Sequence, residues 1–129
     1  MMDKQKFVLG LITDLFFSPR LVSNARQMGY RTGLIESAQQ YSEAEDFLRF
    51  LKTDAPDLIV IDLDSGLPWP KWLEHAKQDA QLKNIPWLAY GSHKDVKKLA
   101  RAKRVGANMI VAKSKFTSEM PQLIEKLLG

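Results

Sequence analysis

The sequence predicts an α/β protein built on one five-stranded parallel sheet, and three observations predict it. Short apolar runs of β type alternate with longer stretches of helical periodicity along the 129 residues. The links between them are short, which calls for right-handed crossovers and a sheet covered on both faces. The length suits a single domain that buries a core without disulfides or metals.

The first strand is read over Lys6–Thr13. Ser18 and Pro19 then form an N-cap and first-turn pair, ahead of Leu21, Val22, Ala25 and Met28 at helical spacing, and Gly29 closes this helix. A second strand, Tyr30–Ile35, leads to a capping box of Ser42 with Glu45 and a stripe of Ala44, Phe47, Leu48 and Leu51. The third strand, Asp57–Asp62, is almost wholly apolar until its last residue, and Pro70 opens the helix after it. Pro86–Tyr90 is the fourth strand; Ser92 with Asp95 three residues on opens the fourth helix. Asn108–Ala112 is the fifth strand, and Thr117 starts a last helix carrying Met120, Leu123, Ile124 and Leu127. The result is (βα)5, a flavodoxin-like three-layer sandwich with strand order 2-1-3-4-5, two helices on one face and three on the other. Residues 1–129 are read as one domain, with no linker, repeat or output domain.

Composition excludes several functions. There is no cysteine, which removes thiol nucleophiles, disulfide scaffolds and cysteine-ligated zinc. The 19 Lys and Arg against 15 Asp and Glu leave a net charge of +4, a mild excess compatible with an acidic partner. The early apolar run FVLGLI is too short for a membrane span or secretory signal, so a cytoplasmic protein without membrane contact is expected.

A parallel sheet of this kind binds or reacts at the carboxyl ends of its strands. Those ends carry Thr13 and Asp14, Glu36, Asp62 and Asp64, Gly91 and Ser92, and Lys113. No glycine-rich phosphate loop, nucleophile elbow or dinucleotide fingerprint occurs, and TDLFFSP is a poor phosphate cradle for a flavin. His75 and His93 lack metal-ligand spacing and read as surface residues.

Taken in order, PDLIVIDLD, NIPWLAYGS and GANMIVAKSKF, with ARQMGY closing the first helix, resemble the receiver domain of two-component response regulators over essentially the whole chain. The resemblance implies that Asp62 stands at the phospho-acceptor position and Lys113 at that of the phosphate-pairing lysine. It also implies an acidic pair on the first strand that helps hold Mg2+, a hydroxyl on the fourth strand and a switch aromatic on the fifth. Here those positions fall on Ile12 and Thr13, on Gly91 and on Ile110. Asp14 lies one residue late, Ser92 follows Gly91, Ser114 replaces the proline after Lys113, and Gly66 stands where the family usually has proline. The expectation is a degenerate, stand-alone pseudo-receiver with no catalysis of its own and no cofactor, in which Asp62 and Lys113 are vestigial. The alternative is a phospho-accepting receiver that a histidine kinase modifies at Asp62, with Mg2+ held by Asp14, Asp62 and Asp64.

Contact surfaces are sought on the fourth helix, where Lys94, Lys97, Lys98, Arg101 and Arg104 line one side and Val96, Leu99 and Ala100 the other. Such a face steers an acidic signalling partner, or is simply a solvated surface. The resemblance implies contact through the fourth helix, fifth strand and fifth helix, including homodimerisation. An anion or nucleic-acid role for the basic helix ranks lower, since no DNA-binding motif accompanies it. Trp69 and Trp72 are either exposed binding anchors or caps on the core. Phe16 and Phe17 make the first loop more apolar than metal chemistry favours.

Overall fold

The structure, a computed structural model, describes residues 5–41 and 43–129. Five parallel strands, β1 (Phe7–Leu11), β2 (Arg31–Ile35), β3 (Leu58–Asp62), β4 (Trp87–Gly91) and β5 (Met109–Ala112), lie in the order β2-β1-β3-β4-β5. Every residue of β1, β3 and β4 is buried. Central strands packed on both faces have no solvent side, which is why they read as continuous apolar runs. The edge strands β2 and β5 are partly exposed.

The helices are α1 (Phe17–Gln27), α2 (Ala44–Asp54), α3 (Trp69–Gln78), α4 (Val96–Arg104) and α5 (Lys113–Leu128). On one face α1 and α5 enclose Val8, Ile12, Leu21, Val60, Tyr90, Phe116 and Ile124. On the other, α2, α3 and α4 enclose Leu9, Phe47, Ile61, Trp72, Trp87 and Ala102. The predicted two-and-three distribution is therefore observed. Among the described residues no helix is long and apolar enough to cross a membrane.

The helix starts differ from the sequence reading in instructive ways. Ser18 lies inside α1, its hydroxyl donating to the Asp14 carbonyl at 2.8 Å, and the residue before the helix is Phe16, which makes no side-chain cap. The Ser42 half of the proposed capping box lies outside the described residues, and Glu43 precedes α2 without a side-chain cap. Asp95, not Ser92, caps α4, accepting from the Lys98 N–H at 3.1 Å; the Ser92 hydroxyl accepts from the Lys94 N–H instead. α5 begins at Lys113, four residues before Thr117, and bends at Glu119 (φ −126, ψ 23). Pro121 has no N–H for the Thr117 carbonyl and its ring crowds that carbonyl, which accounts for the bend.

Trp69 and Trp72 are core residues, 4% and 1% exposed, which selects the core reading of the two and removes both as exposed binding anchors. Trp72 stacks on Phe47 with centroids 4.2 Å apart and an 8° interplanar angle. The Trp69 indole N–H donates to the Leu63 carbonyl at 3.0 Å, so its polar atom is satisfied inside the loop. Phe17 is also core, whereas Phe16 and Leu15 are exposed.

Candidate functional site at the strand ends

The parallel register sets Asp62 beside Tyr90 and Gly91 beside Ala112, which gathers the carboxyl ends of β3, β4 and β5. Asp62 shares a sheet face with Val60 and Leu58, the face covered by α1 and α5, because strand side chains alternate. Asp62 is 2% exposed, and among the described residues its carboxylate accepts one hydrogen bond, from the Asp64 N–H at 2.9 Å. Burial pushes its pKa above the ordinary carboxylate value, against the opposing pull of that N–H and of Lys113.

The loop leaving β3 is stitched to its neighbours. Ser65 N–H donates to the Asp62 carbonyl, Thr13 donates its hydroxyl to the Ser65 carbonyl at 3.0 Å, and Leu67 N–H donates to the Ser65 hydroxyl. This places Asp64 at the mouth of the site between two ammonium groups. Lys98 of α4 reaches it at 2.6 Å and Lys113 at 3.7 Å. The hydrogen bond from Lys98 is the main reason the Asp64 carboxyl sits below its ordinary pKa. Lys98 is raised in return, by the same bond. Lys98 also meets Asp95 at 3.5 Å, so one amine ties α4 to both the loop and its own cap.

Ile12 is fully buried in the core beneath α1 and α5, and Thr13 is used by Ser65. The Asp14 carboxylate accepts from the Phe16 N–H at 2.6 Å, which fixes the turn into α1. At Gly91 a Cβ would stand 3.2 Å from the Leu63 side chain, a tight contact to which Leu63 would have to yield by a few tenths of an ångström, and glycine itself supplies no hydroxyl. Ile110 packs against the core under α2, α3 and α4. His75 and His93 are both exposed.

Sequence reasoning missed Tyr90. It is fully buried, stacked on Phe116 at 4.0 Å and tilted against Phe17 at 4.9 Å. Its hydroxyl is close enough to Asp62 to feel its charge, yet it makes no hydrogen bond of acceptable geometry among the described residues. A contact outside hydrogen-bond angles contributes little. Burial, with Asp62 and Asp14 nearby, pushes the phenol above its ordinary pKa. The alternation of β4 was the available signal, because it puts Tyr90 on the Asp62 face.

Leu99 and Ala102 of α4, with Val105 just after it, face inward, while Val96 and Ala100 are exposed, correcting the predicted apolar side. Where the helix docks on the sheet decides this, and with so few apolar residues the pattern alone points ambiguously. Lys94 precedes the helix; Lys97, Arg101 and Arg104 are exposed, and Lys98 is half-buried in its ion pairs.

No protein-family model matches the sequence, and no curated protein matches it. Solved structures do. A chemotaxis response regulator of Vibrio cholerae matches with a TM-score of 0.76 at 16% identity, over 97% of this chain and 100% of that one. The signal receiver domain of a signal transduction histidine kinase from Syntrophus aciditrophicus matches at 0.76 and 20%, over 95% and 89%. That of a DNA binding response regulator from Colwellia psychrerythraea matches at 0.77 and 17%, over 96% and 98%. With the strand order and the five helices, these matches establish that the chain has the flavodoxin-like fold of response regulator receiver domains.

Proposed function

We propose that this chain is a signalling module of the receiver type that works by contact with another protein and takes phosphate on Asp62 inefficiently or not at all. The observation that carries the reading is the clamp of Lys98 and Lys113 on Asp64. In a phospho-accepting site a hard cation, held by several oxygens, neutralises the transferring group. The donor set here does not fit Mg2+. Ile12 supplies no side-chain oxygen, the Thr13 hydroxyl is donated to the Ser65 carbonyl, one Asp14 oxygen holds the Phe16 N–H, and Asp64 already has two ammonium partners. Among the described residues no three His, Asp or Glu side chains are arranged to hold a metal. Asp62 itself is buried, and Gly91 supplies no hydroxyl.

The protein-contact half of the reading rests on α4. Among the described residues Lys97, Arg101 and Arg104 have no ion-pair partner, and their charge creates a positive field that steers an acidic partner, chiefly setting encounter rate and choice of partner. The test of the chemistry is incubation with Mg2+ and acetyl phosphate, or with beryllofluoride, followed by intact mass and amide spectra. An unmodified mass and unchanged spectra are expected. Phosphate trapped on Asp62 by borohydride, with spectral changes reaching α4, would overturn this reading in favour of a phospho-accepting receiver.

A further inference from the structure

β2 is an edge strand, and among the described residues only β1 pairs with it. The Arg31 N–H donates to the Lys6 carbonyl at 2.8 Å, so Arg31, Gly33 and Ile35 turn their backbone groups toward β1. Thr32 and Leu34 turn theirs outward, because the direction alternates along a strand. Open edges are normally blunted by lysine, proline, a bulge or a covering element. β2 reads RTGLI, with neither lysine nor proline, and its one charged side chain, Arg31, is laid over the Phe7 ring at 4.0 Å.

Beside this edge a groove of about 580 Å³ runs between α1 and β2. Its apolar lining is Leu15, Pro19, Val22 and Leu34; Leu15 is 82% exposed, Pro19 is exposed, and Val22 and Leu34 are half-buried. The two ends of the groove carry opposite charges. α1 returns from the carboxyl ends of the strands toward their amino ends, so Arg26 in its last turn lies at the amino end. Glu36, just past β2, lies at the carboxyl end. Both are exposed, and among the described residues neither has an ion-pair partner.

We propose that the β2 edge pairs antiparallel with the β2 edge of a second copy of this chain, about a two-fold axis, so that the two sheets join into one. The charge pattern selects a second copy as the occupant. A two-fold axis inverts the groove, which carries Glu36 of each copy to the end where the other presents Arg26, and two symmetric ion pairs flank an apolar centre. The backbone register agrees. Outward residues meet outward residues when the axis passes through Leu34, which sets Leu34 opposite Leu34 and Thr32 opposite Glu36 of the other copy. Helix spacing agrees as well. α1 touches both β1 and β2, and strands lie about 4.8 Å apart, so an axis just outside β2 leaves the two α1 helices roughly 10 Å apart. Packed helices stand at about 8–10 Å, so the pair removes apolar surface at Pro19 and Val22 from water. α4 packs on β4 and β5, at the other edge of the sheet, and stays uncovered.

The test follows the mass of the whole chain by analytical ultracentrifugation from micromolar to millimolar concentration. A monomer–dimer equilibrium that stops at two copies is expected. Amide hydrogen exchange at Thr32 and Leu34 should slow as the dimer fills, because their outward N–H groups gain partners. Arg26→Glu and Glu36→Arg should each weaken the dimer by about tenfold, equivalent to about 1.4 kcal/mol, since each change alters two symmetric pairs. The double variant should restore the dimer. Thermal unfolding of the dilute variants should match wild type, since both positions are exposed.

A monomer at every concentration overturns the proposal. So does a dimer indifferent to the single swaps, a double variant no tighter than the singles, exchange protection confined to α4, β5 and α5, or assembly beyond two copies. The outcome is separate from that of the proposed function: phosphate on Asp62 would refute that reading and leave the dimer standing, and a monomer would do the reverse.

Discussion

Replacing Asp62 by Asn should stabilise the protein at neutral pH. A carboxylate has room for about four hydrogen bonds, and among the described residues Asp62 receives one, from the Asp64 N–H, while 2% exposed. Lys113 helps only through the field, its ammonium being paired with Asp64 at 3.7 Å. An under-satisfied buried charge costs about 1–3 kcal/mol or more. Asn keeps the shape and an oxygen for the Asp64 N–H, but forfeits the attraction of Lys113. A net gain of about 1–2 kcal/mol is expected, which for a chain of this size raises Tm by roughly 3–8 °C. The sign follows from the raised folded-state pKa of Asp62. Between the unfolded carboxylate pKa, about 3.9, and the raised folded value, the native state holds more protons than the unfolded one, so wild-type stability falls as pH rises through this window. The Asp62→Asn advantage should be full above the window and fade toward its lower edge. Urea unfolding across pH, with and without millimolar Mg2+, reads it. A variant less stable than wild type at neutral pH refutes the reasoning about Asp62. A gap that Mg2+ closes would show that the metal binds the wild-type carboxylates after all.

Lys98→Met should cost only about 0.2–1 kcal/mol, because both partners of the Lys98–Asp64 pair are about a third exposed. The Asp64 carboxyl should titrate closer to its ordinary value, seen by carbon NMR. A depressed carboxyl contributes stability above the unfolded pKa and loses it as pH falls through the folded one. Wild type and variant should therefore converge in strongly acidic solution, and an unchanged Asp64 titration contradicts the clamp. Trp72→Ala should destabilise by about 3–5 kcal/mol in urea, since it removes a buried ring stacked on Phe47. A loss under about 1 kcal/mol would instead point to a surface role.

Much of this architecture is legible in residue order. Apolar runs separated by amphipathic stretches specify strands and helices through periods of two and 3.6, and short links leave few topologies. The same logic brings Asp62 and Lys113 to one end of the sheet, because both close or follow a parallel strand. Local rules failed where two signals competed within a few residues. Ser92 and Asp95 can each cap a helix, and the backbone path after β4 selects Asp95. Thr117 looked like a start, but the chain enters α5 directly from β5 and bends at Pro121's expense of a backbone bond.

By itself, then, the sequence determined the layer order, the strand-end position of Asp62 and the lack of acids at Ile12 and Thr13. These depend on residue type and short-range spacing, which the chain carries openly. Tertiary structure alone decided which charges meet. Asp64 and Lys98 stand 34 residues apart, and nothing local couples them until α4 docks on the sheet. Docking likewise turned Val96 and Ala100 outward, buried Trp69 and Trp72, and set the Tyr90 ring beside Asp62. Whether Asp64 is open to a cation or closed by two ammonium groups is a matter of a few ångströms between distant segments, and packing sets those distances.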